Sequence, residues 1–245
     1  MAPLPPKQRG HVKIENQVLL NTLIYICENG CKWRALPEQF GPWHTVYMRL
    51  NRWAKSGVLE RVFTDLRAER LTGMKVFSLD STSIKVHPDA RGLGKKNGRQ
   101  AIGKSRGGWN TKMHAVTASD RLVKGFSLSS GNACDAAEGR LLLETIGKLE
   151  ESVVFFTDRA YEDDLTWLTA WELRFNWVVP PKSNRVHPWE YDRELNKRRN
   201  EVGRFFRRIK GCRRVCARYD KLDLMFTAFI YVAIIGITLY SVNIP

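Results

Sequence analysis

VFSLD at residues 76–80 and VVFFTD at residues 153–158 are two short, mostly apolar runs, and each of them stops at an aspartate. Such runs predict buried β-strands. Neighbouring strands lie about 4.8 Å apart, so Asp80 and Asp158 can converge at one edge of a sheet. A pair of carboxylates there suits Mg²⁺ or Mn²⁺ and phosphate chemistry. For either aspartate alone, a turn or helix-cap role is the alternative interpretation.

The sequence around these runs predicts two domains. Residues 1–72 are predicted to form a small all-helical domain like a helix-turn-helix module, because three short apolar stripes with helical spacing follow one another. Residues 73–245 alternate strand and helix patterns, which indicates an α/β domain with a mixed sheet flanked by helices. Beyond the two runs, the predicted elements are strands at Lys112–Ala118, Leu122–Leu128 and Trp177–Val179, and helices at Ala136–Leu149, Leu165–Leu173, Arg193–Lys210 and Leu222–Tyr240.

The charge balance favours a polyanionic partner. The chain has 40 Lys and Arg against 25 Asp and Glu, a net charge of +15, which points to nucleic acid or an anionic membrane surface. Two segments concentrate this charge: a glycine-rich basic loop at residues 85–112 and the region 193–221. We interpret both as a DNA track. The predicted DNA contacts are Lys104, Arg106, Arg199, Arg204, Arg207, Arg208, Lys210, Arg213 and Arg214.

Two features permit other interpretations. Leu224–Tyr240 is 17 residues long without a charge, close to the length that crosses a bilayer, but a buried helix has the same pattern and is the interpretation we prefer, with no membrane partner. The five cysteines include two pairs with zinc-like spacing. We expect packed free thiols in the cytoplasm instead.

Several stretches, in order along the chain, resemble one known family. They are GCKWRALP at 30–37, FGPWHTVY at 40–47, LDST at 79–82, GKSRGG at 103–108, DRAY at 158–161 and RFFRRIK at 204–210. Together they are similar to bacterial insertion-sequence transposases of the insertion sequence five group, which have an RNase H-like Asp-Asp-Glu catalytic domain. The resemblance runs from Asn16 to Leu239.

The resemblance implies a set of roles. Asp80 and Asp158 correspond to the first and second metal-binding acids. The N-terminal helices would help to bind the terminal inverted repeats of a mobile element, and a homodimer or higher assembly would pair the two DNA ends. The partners would be double-stranded DNA, as transposon end and as target, and the location would be the cytoplasm, at the nucleoid.

The third acid departs from the family pattern. The last catalytic helix of the family follows Tyr-x2-Arg-x3-Glu-x6-Lys, and aligning Arg199 and Lys210 places Asn196 at the Tyr position and Gly203 at the Glu position. Glu201 is the tentative substitute, although two residues correspond to about 200° around a helix. We therefore hypothesise a chain that folds and binds DNA with impaired catalysis. A decayed or repurposed sequence-specific DNA-binding protein, and a related nuclease that does not join ends, are the alternatives.

Three further polar residues have local explanations. Asp135 precedes a helix and is predicted to cap it, in preference to a catalytic role. His87 and His114 are predicted to be hydrogen-bonded polar residues and not metal ligands.

Overall fold

The computed structural model describes residues 14–91, 98–181, 186, 188–190 and 199–240. The chain forms two compact units. The first unit combines Met1–Arg70, Lys85–Gln100 and Ile209–Pro245, and the second combines Leu71–Ile84 and Ala101–Arg208.

The first unit is helical. Its helices are α1 (Asn16–Asn29), α2 (Trp43–Lys55), α3 (Val58–Leu71), the short α7 (Arg213–Cys216) and α8 (Asp223–Tyr240). α1 ends at Gly30, whose φ of 65° is left-handed and favours glycine. A Cβ added at Gly30 would lie 2.8 Å from the Cβ of Arg213, so this position also allows α1 and α7 to approach closely.

α8 supplies the centre of the first unit. Apolar side chains surround this helix, as expected for a buried helix, and Phe226, Phe229 and Ile230 are fully buried. α8 contacts α1, α2 and α7, and the ring of Tyr231 lies 5.4 Å from that of Phe63 in α3. Among the described residues, no helix is both long enough and apolar enough to cross a membrane.

The second unit is built on a mixed sheet. Its strands are β1 (Val76–Val86), β2 (Gly103–Ser105), β3 (Gly108–Thr117), β4 (Val123–Ser130), β5 (Val153–Thr157) and β6 (Phe175–Val178). The strand order is β2-β3-β1-β5-β6, and β4 also pairs with β3. β5 is parallel to β1 and β6 is parallel to β5, whereas β2 and β4 are antiparallel to β3.

Helices α4 (Asp135–Ile146) and α5 (Asp164–Glu172) pack on this sheet. The core between them contains side chains from four strands and both helices: Phe77, Leu79, Val116, Leu142, Leu143, Val153, Phe155, Tyr161, Ala170 and Phe175. Helix α6 (Asn200–Ile209) follows later in the chain. The mixed sheet with helices, preceded by a helical region, agrees with the fold class predicted from the sequence.

Several predicted bounds differ from the structure. β1 continues past Asp80 to Val86, and the two-residue strand β7 (Ala217–Arg218) pairs with its last residues in the first unit. The segment 85–112, predicted to be a flexible loop, contains β2 and the start of β3, although residues 92–97 lie outside the described part. The beginning of the helix predicted at Arg193–Lys210 also lies outside it.

The predicted domain division, 1–72 and 73–245, differs from the compact units after the sheet. Its boundary falls close to Arg70, but Ile209–Pro245 belongs with the N-terminal helices. The physical reason is that α8 is apolar on every side and completes the core of the helical unit.

Candidate active site

The two predicted acids lie side by side on adjacent parallel strands. Leu79 of β1 pairs with Thr157 of β5, so Asp80 and Asp158 each occupy the position immediately after this pair. Asp80 lies within β1, and Asp158 follows the end of β5. The sheet register therefore brings together two carboxylates that are 78 positions apart in the sequence.

The surroundings of the Asp80 carboxylate favour a cation beside it. Burial raises the pKa of the Asp80 carboxyl, and the nearby carboxylates of Asp158 and Asp135 raise it further. The backbone N–H of Ser81 donates to Asp80 Oδ1 at 2.7 Å, and this bond and Arg199 lower the pKa in part. Carboxylates held together in this way repel one another, and a bound cation relieves that repulsion.

Arg199 is placed beside the second acid. Its Nη1 lies 3.5 Å from Oδ2 of Asp158, immediately before α6 begins. Gly203 lies four residues later, on the same helix face as Arg199. Among the described residues, and apart from the backbone of its own helix, a Cβ built at Gly203 would meet no atom within 4 Å, so these residues leave space for a longer side chain at the position where the family pattern has Glu.

Glu201, the tentative third acid, is engaged elsewhere. Its Oε1 accepts a hydrogen bond from Arg204 Nη1 at 2.8 Å, one turn along α6. The structure therefore brings Asp80, Asp158 and Arg199 together and leaves Glu201 paired on its own helix. Its role as a catalytic acid stays a prediction.

A polar cluster that the sequence interpretation missed adjoins the acids. Asp135 Oδ1 accepts hydrogen bonds from Ser81 Oγ at 3.2 Å and from Lys112 Nζ at 3.1 Å. The predicted cap role of Asp135 is wrong, because Cys134 occupies the N-cap position of α4 and the Asp135 side chain points to β1 and β3. In the sequence, Asp135 was singled out only by its position just before the helix predicted at Ala136–Leu149.

The predicted roles of the histidines as hydrogen-bonded residues are confirmed. His114 is fully buried, with Nδ1 3.1 Å from the Tyr161 hydroxyl and Nε2 2.8 Å from Ser129 Oγ. In the first unit, Nδ1 of His87 accepts a hydrogen bond from the backbone N–H of Asp89 at 3.2 Å.

The carboxylates at this site provide some, but not all, of the ligands expected for a divalent cation in this family. Mg²⁺ in phosphate-processing sites often has one or two carboxylate ligands and completes its coordination with water and phosphate oxygens. Asp80 and Asp158 supply that pair. Within the described residues, however, no group of three or more His, Cys, Asp or Glu side chains is arranged to hold a metal ion, so a three-acid set is not assembled there.

Residues 71–235, more than half of the chain, match the family described as "Transposase DDE domain". The chain belongs to this transposase family. Residues 1–63 match a second family, described as "Putative transposase of IS4/5 family (DUF4096)". The family predicted from the sequence motifs is confirmed.

Two relatives are similar to part of the chain. The transposase chain is 30% identical over 86 residues to the uncharacterized protein y4sN of Sinorhizobium fredii, a match that covers 35% of this chain and 67% of the relative. It is also 30% identical over 106 residues to the insertion element IS402 uncharacterized 16.2 kDa protein of Burkholderia cepacia, covering 39% of this chain and 69% of that protein.

A solved structure supports the fold. The transposase aligns with a chain of the piggyBac transposase synaptic complex with hairpin DNA at a TM-score of 0.59 and 8% identity, covering 92% of this chain. It spans only 65% of the piggyBac chain. At this identity the likeness shows the fold alone, and the predicted RNase H-like α/β class is confirmed.

The predicted DNA-contacting residues of the transposase differ in exposure. Lys104, Arg106, Arg207 and Arg213 are exposed, and Lys210 is half-buried. Arg208 is exposed but pairs with Asp120, as Arg204 pairs with Glu201. Arg214 is buried, so it cannot belong to an exposed basic track.

Proposed function

We propose that this transposase binds the terminal inverted repeats of an insertion sequence and performs metal-dependent strand cleavage and transfer, with impaired catalysis because position 203 is glycine. The observation that carries the proposal is the register of β1 and β5, which sets Asp80 beside Asp158. The match to the DDE transposase family supports it.

Each residue of the site has a proposed task. Asp80 and Asp158 hold Mg²⁺ or Mn²⁺, which when bound supplies charge stabilisation at the phosphate and a more acidic nucleophile. Arg199 orients the carboxylate of Asp158 through their ion pair. Lys104 and Arg106, exposed on β2 and the turn after it, bind DNA phosphates and hold the strand over the acids.

The proposed partners are double-stranded DNA, as element end and as target, and a second copy of the chain that holds the other end. We place the protein in the cytoplasm with the chromosome. A gel shift with end-sequence DNA would measure how many copies of the chain bind each DNA molecule.

The glycine at 203 favours a second candidate function, a DNA-binding protein that no longer cuts. The space that the described residues leave around Gly203 allows a direct test. Gly203→Glu places a carboxylate on the face of α6 that carries Arg199, and Gly203→Gln is the matched control of equal size without the charge. We expect Gly203→Glu to nick end-sequence DNA with Mg²⁺ on the order of tenfold faster than Gly203→Gln.

The accompanying variants separate the candidates. Asp80→Asn and Asp158→Asn should bind DNA in a gel shift but nick it only at background level. Equal nicking by Gly203→Glu and Gly203→Gln would refute the assignment of position 203. Rapid nicking by the unaltered chain that Glu201→Gln abolishes would identify Glu201 as the third acid. Binding without nicking by every variant would support the non-catalytic candidate.

A further inference from the structure

The side chain of Asp135 lies beside the acid pair and is held by two other residues. Its Oδ1 accepts hydrogen bonds from Ser81 Oγ at 3.2 Å and from Lys112 Nζ at 3.1 Å, and only 21% of the side chain is exposed. Its negative charge acts on Asp80 and raises the pKa of that carboxyl. Asp135 is thus a charged neighbour of the pair, fixed in place by its own hydrogen bonds.

Ser81 connects Asp135 to Asp80. Its backbone N–H donates to Asp80 Oδ1 at 2.7 Å, and its side chain bonds to Asp135. An ionised carboxylate can only accept hydrogen bonds, so the Ser81 hydroxyl must donate its proton to Asp135. A displacement of Ser81 would therefore move the donor that holds the Asp80 carboxylate.

A chain of buried hydrogen bonds leads from Ser81 into the core. The Tyr161 hydroxyl is hydrogen-bonded to the Ser81 side chain and lies 3.1 Å from Nδ1 of His114. Nε2 of His114 lies 2.8 Å from Ser129 Oγ. Tyr161, His114 and Ser129 are all buried, so bulk water does not compete for these bonds.

The direction of this chain follows from the number of protons that each group carries. Because Ser81 donates to Asp135, it accepts from Tyr161. The Tyr161 oxygen is then left to accept from Nδ1–H of His114. Burial lowers the pKa of His114 to about 4, so at neutral pH its ring carries one proton, and Nε2 accepts from Ser129. Every donor in the chain therefore points towards Asp135, which ends it.

Lys112 limits the charge that Asp135 contributes. Besides its ion pair with Asp135, its Nζ donates to the backbone carbonyl of Ala133 at 2.8 Å, and only 17% of its side chain is exposed. A partly buried pair of charges is screened less than a surface pair. Lys112 therefore cancels part of the negative field that Asp135 exerts at Asp80.

We propose that Asp135 is a positioning residue for Asp80: through Ser81 it fixes the Asp80 carboxylate, and its negative charge increases the affinity of the acid pair for Mg²⁺ or Mn²⁺. The inference rests on the proposed function, because Asp80 and Asp158 are taken as the metal ligands. Groups that hold a metal ligand in place typically change metal affinity by about 10–100-fold. Lys112 has the opposite effect, since it neutralises part of the charge of Asp135.

Binding of Mn²⁺ alone to the full chain, without DNA, tests the proposal. Electron paramagnetic resonance measures the free Mn²⁺ and so gives the Kd. We expect Asp135→Asn to raise the Kd about tenfold, although the amide oxygen still accepts the hydrogen bonds of Ser81 and Lys112. Lys112→Gln should lower the Kd about threefold, because Asp135 then keeps its full charge. Lost packing alone would weaken Mn²⁺ binding in both variants.

Asp163→Asn is the matched control, because Asp163 is also an aspartate at the start of a helix. Its Oδ1 accepts a hydrogen bond from the backbone N–H of Thr166 at 2.6 Å, and its Oδ2 lies 2.7 Å from Arg140 Nη1. This variant loses a carboxylate that is paired elsewhere and should bind Mn²⁺ with the wild-type Kd.

Substitutions at Ser81 separate the hydrogen bond from the charge. Ser81→Ala keeps both carboxylates and removes the donor to Asp135, so the Kd for Mn²⁺ should rise about tenfold. Ser81→Thr keeps the hydroxyl and should keep the wild-type affinity. An unchanged Kd in Asp135→Asn, or weaker binding by Lys112→Gln, would overturn the proposal.

The tautomer of His114 in the unaltered chain provides a test that does not depend on whether any variant folds. Nitrogen-15 NMR of the imidazole distinguishes a proton on Nδ1 from a proton on Nε2, and we expect it on Nδ1. A proton on Nε2 would require Tyr161 to donate to His114 instead of to Ser81. That result would contradict the chain that ends at Asp135, and with it the positioning role.

The Mn²⁺ measurements also separate the two proposals. If Asp80→Asn abolishes Mn²⁺ binding while Asp135→Asn and Ser81→Ala bind like the wild type, the positioning role fails and the proposed function stands. If Asp80→Asn and Asp158→Asn bind Mn²⁺ as tightly as the unaltered chain, the acid pair is not the metal site and both proposals fail.

Discussion

At the residue scale, His114 links stability to pH. Burial lowers its pKa to about 4, whereas an unfolded chain has a histidine pKa near 6.5. Between these values the unfolded chain takes up a proton that the folded chain does not. Stability therefore falls as the pH decreases from about 6.5 to 4.

Replacement of His114 should remove its contribution to the loss of stability at low pH. We expect the wild-type chain to lose about 3 kcal/mol more free energy of unfolding between pH 7 and pH 4 than His114→Gln does. Urea unfolding at several pH values measures the difference. His44→Gln, at an exposed position, should keep the wild-type slope. Parallel pH profiles for wild type and His114→Gln would show that His114 is not held neutral in the fold.

The sequence predicts Asp80 and Asp158 as a pair because each follows an apolar strand-like run. The same reasoning does not predict the contacts of Asp135, because its partners come from strands that are distant in the sequence. Ser81 is 54 residues away and Lys112 is 23 residues away. Local statistics favour a cap for an aspartate at the start of a helix, and tertiary contacts override them here.

At the element scale, α4 depends on one glycine. A Cβ at Gly139 would lie 2.6 and 2.7 Å from two ring carbons of Tyr161, which is fully buried. The absent side chain lets the helix approach the sheet over this ring. Gly203 in α6 has no such neighbour in the part of the chain that the structure describes.

The two glycines should therefore respond oppositely to alanine. We expect Gly139→Ala to lower the free energy of unfolding by about 1–3 kcal/mol, because the rigid ring or the helix must shift. Gly203→Ala should raise it by up to about 1 kcal/mol through helix propensity. Thermal and urea unfolding of both variants provide the comparison. A stabilised Gly139→Ala would show that the close approach to Tyr161 is not tight.

Strand length shows how far an apolar run alone can predict an element. The run 76–79 predicts the first half of β1 and misses the second half, in which Ile84 and Val86 are buried and alternate with polar residues. β2 contains only Gly103, Lys104 and Ser105. β2 contains no large apolar side chain, and it is a strand because its backbone pairs with β3.

At the scale of the whole molecule, the helical unit is assembled from both ends of the described chain. The apolar surface of α8 predicts burial, but it does not indicate which helices cover it. The predicted domain boundary near residue 72 therefore locates where the sheet begins and misses the return of the chain to the first unit.

The two units should be distinguishable by core substitutions. Phe229→Ala in α8 and Phe155→Ala in β5 each remove a fully buried ring, at a cost of about 3–5 kcal/mol. We expect Phe229→Ala to accelerate amide hydrogen exchange mainly in α1 and α2, and Phe155→Ala mainly in β1 and β6. Equal acceleration in both units by either variant would show that they unfold as one cooperative body.

The discontinuous helical unit has a consequence for biosynthesis. The ribosome releases α1, α2 and α3 first, and their apolar faces have no α8 to cover them until about 150 further residues have been added. At typical elongation rates this exposure lasts on the order of ten seconds. The nascent protein is therefore expected to engage chaperones early, and a ribosome that stalls after the sheet leaves a product that is prone to aggregation.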